Sequence, residues 1–169
     1  MKPWIIRSAM GAGLALSVLL GQAASAQAAA PAAGSADVRT TTFKNHFGKC
    51  LTIENGSLRN DAPAVVSDCD EELDNQIFEL MPVPEGGWKV RAKHSGRCLK
   101  ITGEARRSVV QAWCSDDENQ RWDFIQSEYG RQLNSMAAPW LCVWSGQEGG
   151  PAELGTCAVR PTMFWRFTT

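Results

Sequence analysis

One pattern recurs three times along this chain. His46-Phe47-Gly48-Lys49-Cys50-Leu51-Thr52-Ile53 aligns with His94-Ser95-Gly96-Arg97-Cys98-Leu99-Lys100-Ile101 and, more loosely, with Pro139-Trp140-Leu141-Cys142-Val143-Trp144, so these cysteines recur at intervals of 48 and 44 residues. A second cysteine follows in each copy, at Cys69, Cys114 and Cys157. Each copy then closes on a polar-x-aromatic triplet: Gln76-Ile77-Phe78, Gln120-Arg121-Trp122 and Met163-Phe164-Trp165, spaced 44 and 43 residues apart. Three landmarks in one register mark a chain made of three equivalent units, each of which buries its apolar face only by packing on its neighbours.

Within a unit the pattern is that of strands. Trp88-Lys89-Val90-Arg91-Ala92-Lys93 and Cys98-Leu99-Lys100-Ile101-Thr102 alternate apolar and polar residues in opposite phase, and Trp122-Asp123-Phe124-Ile125 closes the unit. Turn residues punctuate them at Gly48, Asn55-Gly56, Gly86-Gly87, Gly96, Gly103, Gly130 and Gly149-Gly150. Almost no stretch carries a helical period with caps. About four strands per unit predicts an all-β domain of about twelve strands, and a closed or partly closed barrel removes the exposed edges that an open sheet would leave.

The N-terminus bears on where the six cysteines reside. Lys2 and Arg7 form a basic start, Ala9 to Leu20 is apolar and uncharged, and Ala24-Ser25-Ala26 or Ala26-Gln27-Ala28 supplies the small residues that signal peptidase reads. The apolar run is too short to span a bilayer comfortably. The expected organisation is a leader over 1–28, cleaved after Ala26 or Ala28, a flexible segment over 29–38, and one domain over 39–169. Export makes an even set of cysteines a disulfide framework rather than a metal or redox site. Zinc is disfavoured further, because there is no Cys-x-x-Cys pair and the two histidines, His46 and His94, fall in different units. The formal net charge is −1, and loss of the leader removes two positive charges. A phosphate-backbone binder clusters Lys and Arg instead, so nucleic acid is not an expected partner, and no membrane association is expected once the leader is gone.

The Gly-x-Cys-Leu opening, the second cysteine and the Asn-Gln-x-aromatic ending resemble the ricin B-type lectin repeat, the (Gln-x-Trp)3 β-trefoil also known as the family 13 carbohydrate-binding module. The resemblance covers about residues 40–169. It implies a β-trefoil with three units about a pseudo-threefold axis, and Phe78, Trp122 and Trp165 packed near that axis as core. The same frame, among 15 arithmetically allowed pairings, joins Cys50 to Cys69, Cys98 to Cys114 and Cys142 to Cys157.

The resemblance also implies a shallow sugar site in each unit, built from an Asp two residues after the first cysteine, an aromatic shortly before the second, and an Asn before the Gln. The Asp position holds Thr52, Lys100 and Trp144, none of them a carboxylate. The first unit keeps Asn75 and Gln76 but has Val65-Val66-Ser67-Asp68 before Cys69. The second keeps Gln111, Trp113, Asn119 and Gln120, although Trp113 directly abuts Cys114. The third has Thr162 and Met163 where Asn and Gln belong, and offers Trp140 and Trp144 around Cys142. The expected carbohydrate-binding residues are therefore Lys100, Gln111, Trp113, Asn119 and Gln120, with Asn75 and Gln76 in the first unit. A lysine donates where an aspartate accepts, so Lys100 favours an acidic glycan over a neutral one.

No catalytic pattern is present: no nucleophile elbow, no His-Glu-x-x-His and no phosphate-binding glycine loop. A glycosidase would have to draw its two carboxylates from the run Asp68-Asp70-Glu71-Glu72-Asp74, which reads instead as an exposed connection matched by Asp116-Asp117-Glu118 in the second unit. A weak calcium site on that run is an open alternative, though the spacing of an EF-hand loop is absent; no cofactor is implied. The expected protein is a secreted, non-catalytic carbohydrate-binding domain with partly degenerate sites. The rival is a secreted protein-interaction module, an inhibitor or an accessory subunit of a toxin or enzyme, since trefoil loops also bind proteins.

Overall fold

The computed structural model describes residues 38–102, 108–146 and 150–168. The leader expected over 1–28 and the segment from 29 to 37 lie outside the described residues. Among those described, twelve strands form and no α-helix does. The first unit contributes β1 (Arg39–Asn45), β2 (Cys50–Ile53), β3 (Ala64–Ser67) and β4 (Phe78–Pro82). The second contributes β5 (Trp88–Ala92), β6 (Cys98–Ile101), β7 (Val109–Ala112) and β8 (Trp122–Ser127). The third contributes β9 (Gly130–Ser135), β10 (Ala138–Trp144), β11 (Glu153–Thr156) and β12 (Trp165–Thr168). The alternating runs of the sequence thus become strands of four to seven residues, separated at the predicted turns.

Six of these strands close on themselves. β1 pairs with β4, β4 with β5, β5 with β8, β8 with β9, β9 with β12, and β12 returns to β1, every pair antiparallel. Closure leaves no free edge in the barrel. The other six form three hairpins, β2–β3, β6–β7 and β10–β11, with matching registers: Cys50 faces Ser67, Cys98 faces Ala112 and Cys142 faces Gly155. In each case the first cysteine of a unit sits opposite the residue two before the second. The hairpins meet one another through the bridges Pro63–Val110, Val65–Pro151 and Ser108–Glu153, which caps the barrel with a threefold arrangement.

The core follows from the repeat. Phe78, Trp122 and Trp165 are fully buried together with Phe43, Leu51, Ile53, Leu99 and Leu133. A buried indole needs a partner for its N–H. Trp122 Nε1 donates to Leu99 O (3.1 Å) and Trp165 Nε1 to Val143 O (3.2 Å), in both units the carbonyl of the residue after the first cysteine. Phe78 holds the equivalent place in the first unit without that bond. The three disulfides join Cys50 to Cys69, Cys98 to Cys114 and Cys142 to Cys157, one within each unit.

Candidate functional site

The second unit carries most of the residues expected to bind sugar, and the hairpin register decides how they are presented. Leu99 faces Gln111 across the β6–β7 hairpin, while Lys100 faces Val110 and Cys98 faces Ala112. Successive side chains of a strand point to opposite faces. Lys100 therefore shares a face with Val110 and Ala112, and Gln111 lies on the other with Leu99. The structure does not bring Lys100 and Gln111 onto one face. Lys100 is half-buried and, among the described residues, its side chain makes no hydrogen bond or ion pair.

Gln111 is fully buried and spends its amide on the protein itself. Its Nε2 donates to Ser57 O (2.6 Å) and Arg59 O (2.8 Å), and its Oε1 accepts from Ser95 Oγ (2.7 Å). It clamps the first unit's loop against the second unit, and that loop also pairs with β7 through Asp61 N to Gln111 O and Gln111 N to Ala62 O.

Gln120 and Gln76 do equivalent structural work. Gln120 Nε2 donates to Trp113 O (2.8 Å) and its Oε1 accepts from Ser115 N (2.9 Å). Gln76 Nε2 donates to Asp68 O (2.7 Å) and its Oε1 accepts from Asp70 N (2.9 Å). Each amide thereby clasps the backbone on both sides of its unit's second cysteine, at the end of the one-turn 3-10 segments Glu118–Gln120 and Asp74–Gln76. Met163 stands in this position in the third unit and offers no such bonds. Gln120→Met is expected to leave two backbone groups without their partner and to cost about 1–3 kcal/mol, read as a lower urea midpoint by tryptophan fluorescence; an unchanged midpoint would remove the clasp from the account.

The two asparagines differ. Asn75 is buried and its Nδ2 donates to Ile53 O (2.8 Å). Asn119 is half-buried, and its Oδ1 is shielded from solvent without a hydrogen-bond partner. Three residues before Asn119, Asp116 pairs with Lys89 Nζ at 2.6 Å, and that contact holds its exposed carboxyl below the usual carboxylate range.

Trp113 is the exposed platform of this unit, with 65% of its surface open. Its mount consists of two residues, Arg97 and Asn60, that no repeated motif marks as part of a site. The Arg97 guanidinium lies over the indole at 4.2 Å from the ring centroid, while Asn60 Oδ1 accepts from both Arg97 Nε and Trp113 N at 3.0 Å. Arg97 immediately precedes Cys98 and Trp113 immediately follows Ala112, so the pairing of Cys98 with Ala112 places them as neighbours. A cation stacked on an indole is held electrostatically, and Asn60 fixes both from the first unit. In the third unit Trp140 is 64% exposed and Trp144 is half-buried opposite Glu153. Among the described residues, no group of three or more His, Cys, Asp or Glu side chains is placed to hold a metal ion.

Comparison with known proteins agrees with this architecture. The family model of the ricin-type beta-trefoil lectin domain matches residues 39–130, more than half of the chain. The chain belongs to the ricin-type β-trefoil lectin family. Among solved structures, the designed threefold-symmetric protein ThreeFoil superposes with a TM-score of 0.71 at 22% identity, covering 77% of this chain and 98% of that one. The Rhizoctonia solani agglutinin gives 0.67 at 17% identity over 82% of this chain and 98% of that one. The C-terminal half of the earthworm R-type lectin, solved in complex with GalNAc, gives 0.60 at 15% identity over 76% of this chain and 97% of that one. At these identities the likeness is one of fold. A search of curated proteins finds no match. The lectin-family trefoil accounts for the three units, the buried closing aromatics and the three disulfides of this chain.

Proposed function

We propose that this ricin-type trefoil is a secreted, non-catalytic carbohydrate-binding module whose best-preserved site is the Trp113 platform of the second unit. The observation that carries the reading is the mount of Trp113: with Arg97 on one face of the indole and Asn60 fixing both residues, the remaining open surface is a rigid apolar plane. Such a plane stacks on the CH face of a pyranose with little ordering cost. The lectin family and the GalNAc complex of the earthworm protein support the ligand class. Gln120, bonded to Trp113 O, and Gln111, which holds the loop that carries Asn60, support the platform from within, while Gln76 and Asn75 hold the first unit's own backbone; the amides of all four are engaged within the protein rather than reaching a sugar.

Affinity chromatography on immobilised polysaccharides tests this reading. Retention is expected, and Trp113→Ala is expected to weaken it about tenfold, the loss of one stacked aromatic. Unaltered retention in Trp113→Ala would overturn the assignment of the site. Lys100 gives a separate arm. As an unpaired cation it would draw an acidic glycan to the other face of the hairpin, so Lys100→Ala should reduce retention on uronic-acid polysaccharides while leaving neutral ones unaffected. Equal retention on both would remove Lys100 from the site. Secretion rests on the three disulfides and the leader pattern, and N-terminal sequencing of protein recovered from the medium should begin at Gln27 or Ala29. The rival reading, a protein-interaction module, draws support from the internal engagement of the glutamines, because packing alone then explains their presence. A trefoil retained by no polysaccharide but capturing a defined secreted protein would favour it.

A further inference from the structure

We propose a second saccharide site, formed where the three units meet at the turn between β8 and β9 and taking a single neutral pyranose stacked on Tyr129. It shares the ligand class of the Trp113 platform but stands on different residues. The site is a cleft of about 620 Å³ lined by His46, Gln126, Glu128, Tyr129, Phe164 and Arg166, among others. That volume falls in the range of small-ligand sites. The residues come from the turn after β1, the β8–β9 turn and the segment leading into β12, so no single unit contains the site.

Tyr129 is the chain's one tyrosine and is 59% exposed. Its ring rests against buried Phe164 with centroids 5.6 Å apart, and its turn is locked from both sides. Ser127 Oγ accepts from Tyr129 N (3.2 Å) and donates to Gly130 O (2.9 Å). Gly130 sits at φ 134°, and a Cβ there would come within 3.0 Å of Trp165 O, so the backbone approaches too closely for another residue. The aromatic plane is thus preformed.

Gln126 and Ser127 spend their side chains within the protein, but four other polar groups around the plane are unspent. Among the described residues, the side chains of His46, Glu128 and Arg166 and the Tyr129 hydroxyl make no hydrogen bond or ion pair within the protein. Glu128 supplies the acceptor for vicinal hydroxyls that Thr52, Lys100 and Trp144 cannot supply at the family position, since only a carboxylate offers two oxygens with four lone-pair sites. Arg166 and His46 donate to ring and hydroxyl oxygens. A full positive and a full negative charge face the same cleft, so an anionic sugar gains from Arg166 what it loses to Glu128, and a neutral sugar uses both.

The single tyrosine makes the site separately observable. Protein carrying 3-fluorotyrosine gives one fluorine resonance, to be titrated with methyl glycosides of neutral hexoses and N-acetylhexosamines, and with methyl glucuronoside as the anionic control. A saturable shift with at least one neutral glycoside is expected, with a millimolar dissociation constant. The constant should rise about tenfold or more in Glu128→Gln and Arg166→Gln, and stay unchanged in Trp113→Ala. A resonance unmoved by every neutral glycoside in folded protein, one moved only by the glucuronoside, or Glu128→Gln and Arg166→Gln titrating like the parent would overturn the proposal. Because Trp113→Ala affects only the first site, failure here and failure of the Trp113 platform are told apart.

Discussion

Reducing the three disulfides is expected to unfold the domain. The bonds close loops with sequence separations of 19, 16 and 15 residues that neither overlap nor enclose one another. Each loop of that size restricts the unfolded chain by about 3 kcal/mol in the chain-entropy account, and independent sites add. Together they amount to about 9 kcal/mol, against a total stability of about 5–15 kcal/mol for a typical domain. The clasp of Gln76 and Gln120 on either side of Cys69 and Cys114 depends on the same bonds, because it assumes a backbone already held beside the first cysteine. Urea unfolding followed by tryptophan fluorescence, with and without reductant and thiol blocking, measures the loss. Removing one bond by the pair Cys98→Ser and Cys114→Ser should cost about a third of it. A reduced, blocked protein with the midpoint of the oxidised one would overturn the account.

The fold was legible because its signals are local and repeated. The alternation in Trp88–Lys93 and Cys98–Thr102 corresponds to β5 and β6 with one residue less at the C-terminal end of each. The cysteine spacing maps onto one disulfide per unit, and the closing aromatics onto the core, because burial of Phe78, Trp122 and Trp165 depends on apolar surface that any unit of this design must cover.

The site was less legible, for two physical reasons. Register is the first. Trp113 directly abuts Cys114, where the resemblance implies only an aromatic shortly before that cysteine, and a shift by one reverses the face to which a strand side chain points. Lys100 and Gln111 both belong to the site expected in the second unit, yet the pairing of Leu99 with Gln111 puts them on opposite faces. Distance is the second. The two carbonyls that the Gln111 amide binds are 52 and 54 residues away, and Asn60, which fixes Trp113, is 53 residues away. Tyr129 belongs to no repeated landmark at all; its cleft exists only because the turns of three units converge.

Trp122→Ala is expected to destabilise the domain by about 3–5 kcal/mol, the usual cost of truncating a fully buried large aromatic, and the first unit shows how that loss divides. Phe78 fills the place that Trp122 and Trp165 fill in their units, fully buried but without an N–H to offer. Trp122→Phe therefore reproduces an arrangement the fold already tolerates. It should forfeit the bond to Leu99 O, worth about 0.5–1.5 kcal/mol, together with part of the indole's packing, and so cost clearly less than Trp122→Ala. Trp165→Phe, which loses the bond to Val143 O, should behave alike because the two tryptophans occupy equivalent positions. Calorimetric unfolding of the three single variants measures the series. If Trp122→Phe cost as much as Trp122→Ala, the indole hydrogen bond rather than the buried ring would be what holds the second unit to the core. Similar values for Trp122→Phe and Trp165→Phe would show that the threefold repeat is energetic as well as geometric. A large difference between them would confine the symmetry to the backbone.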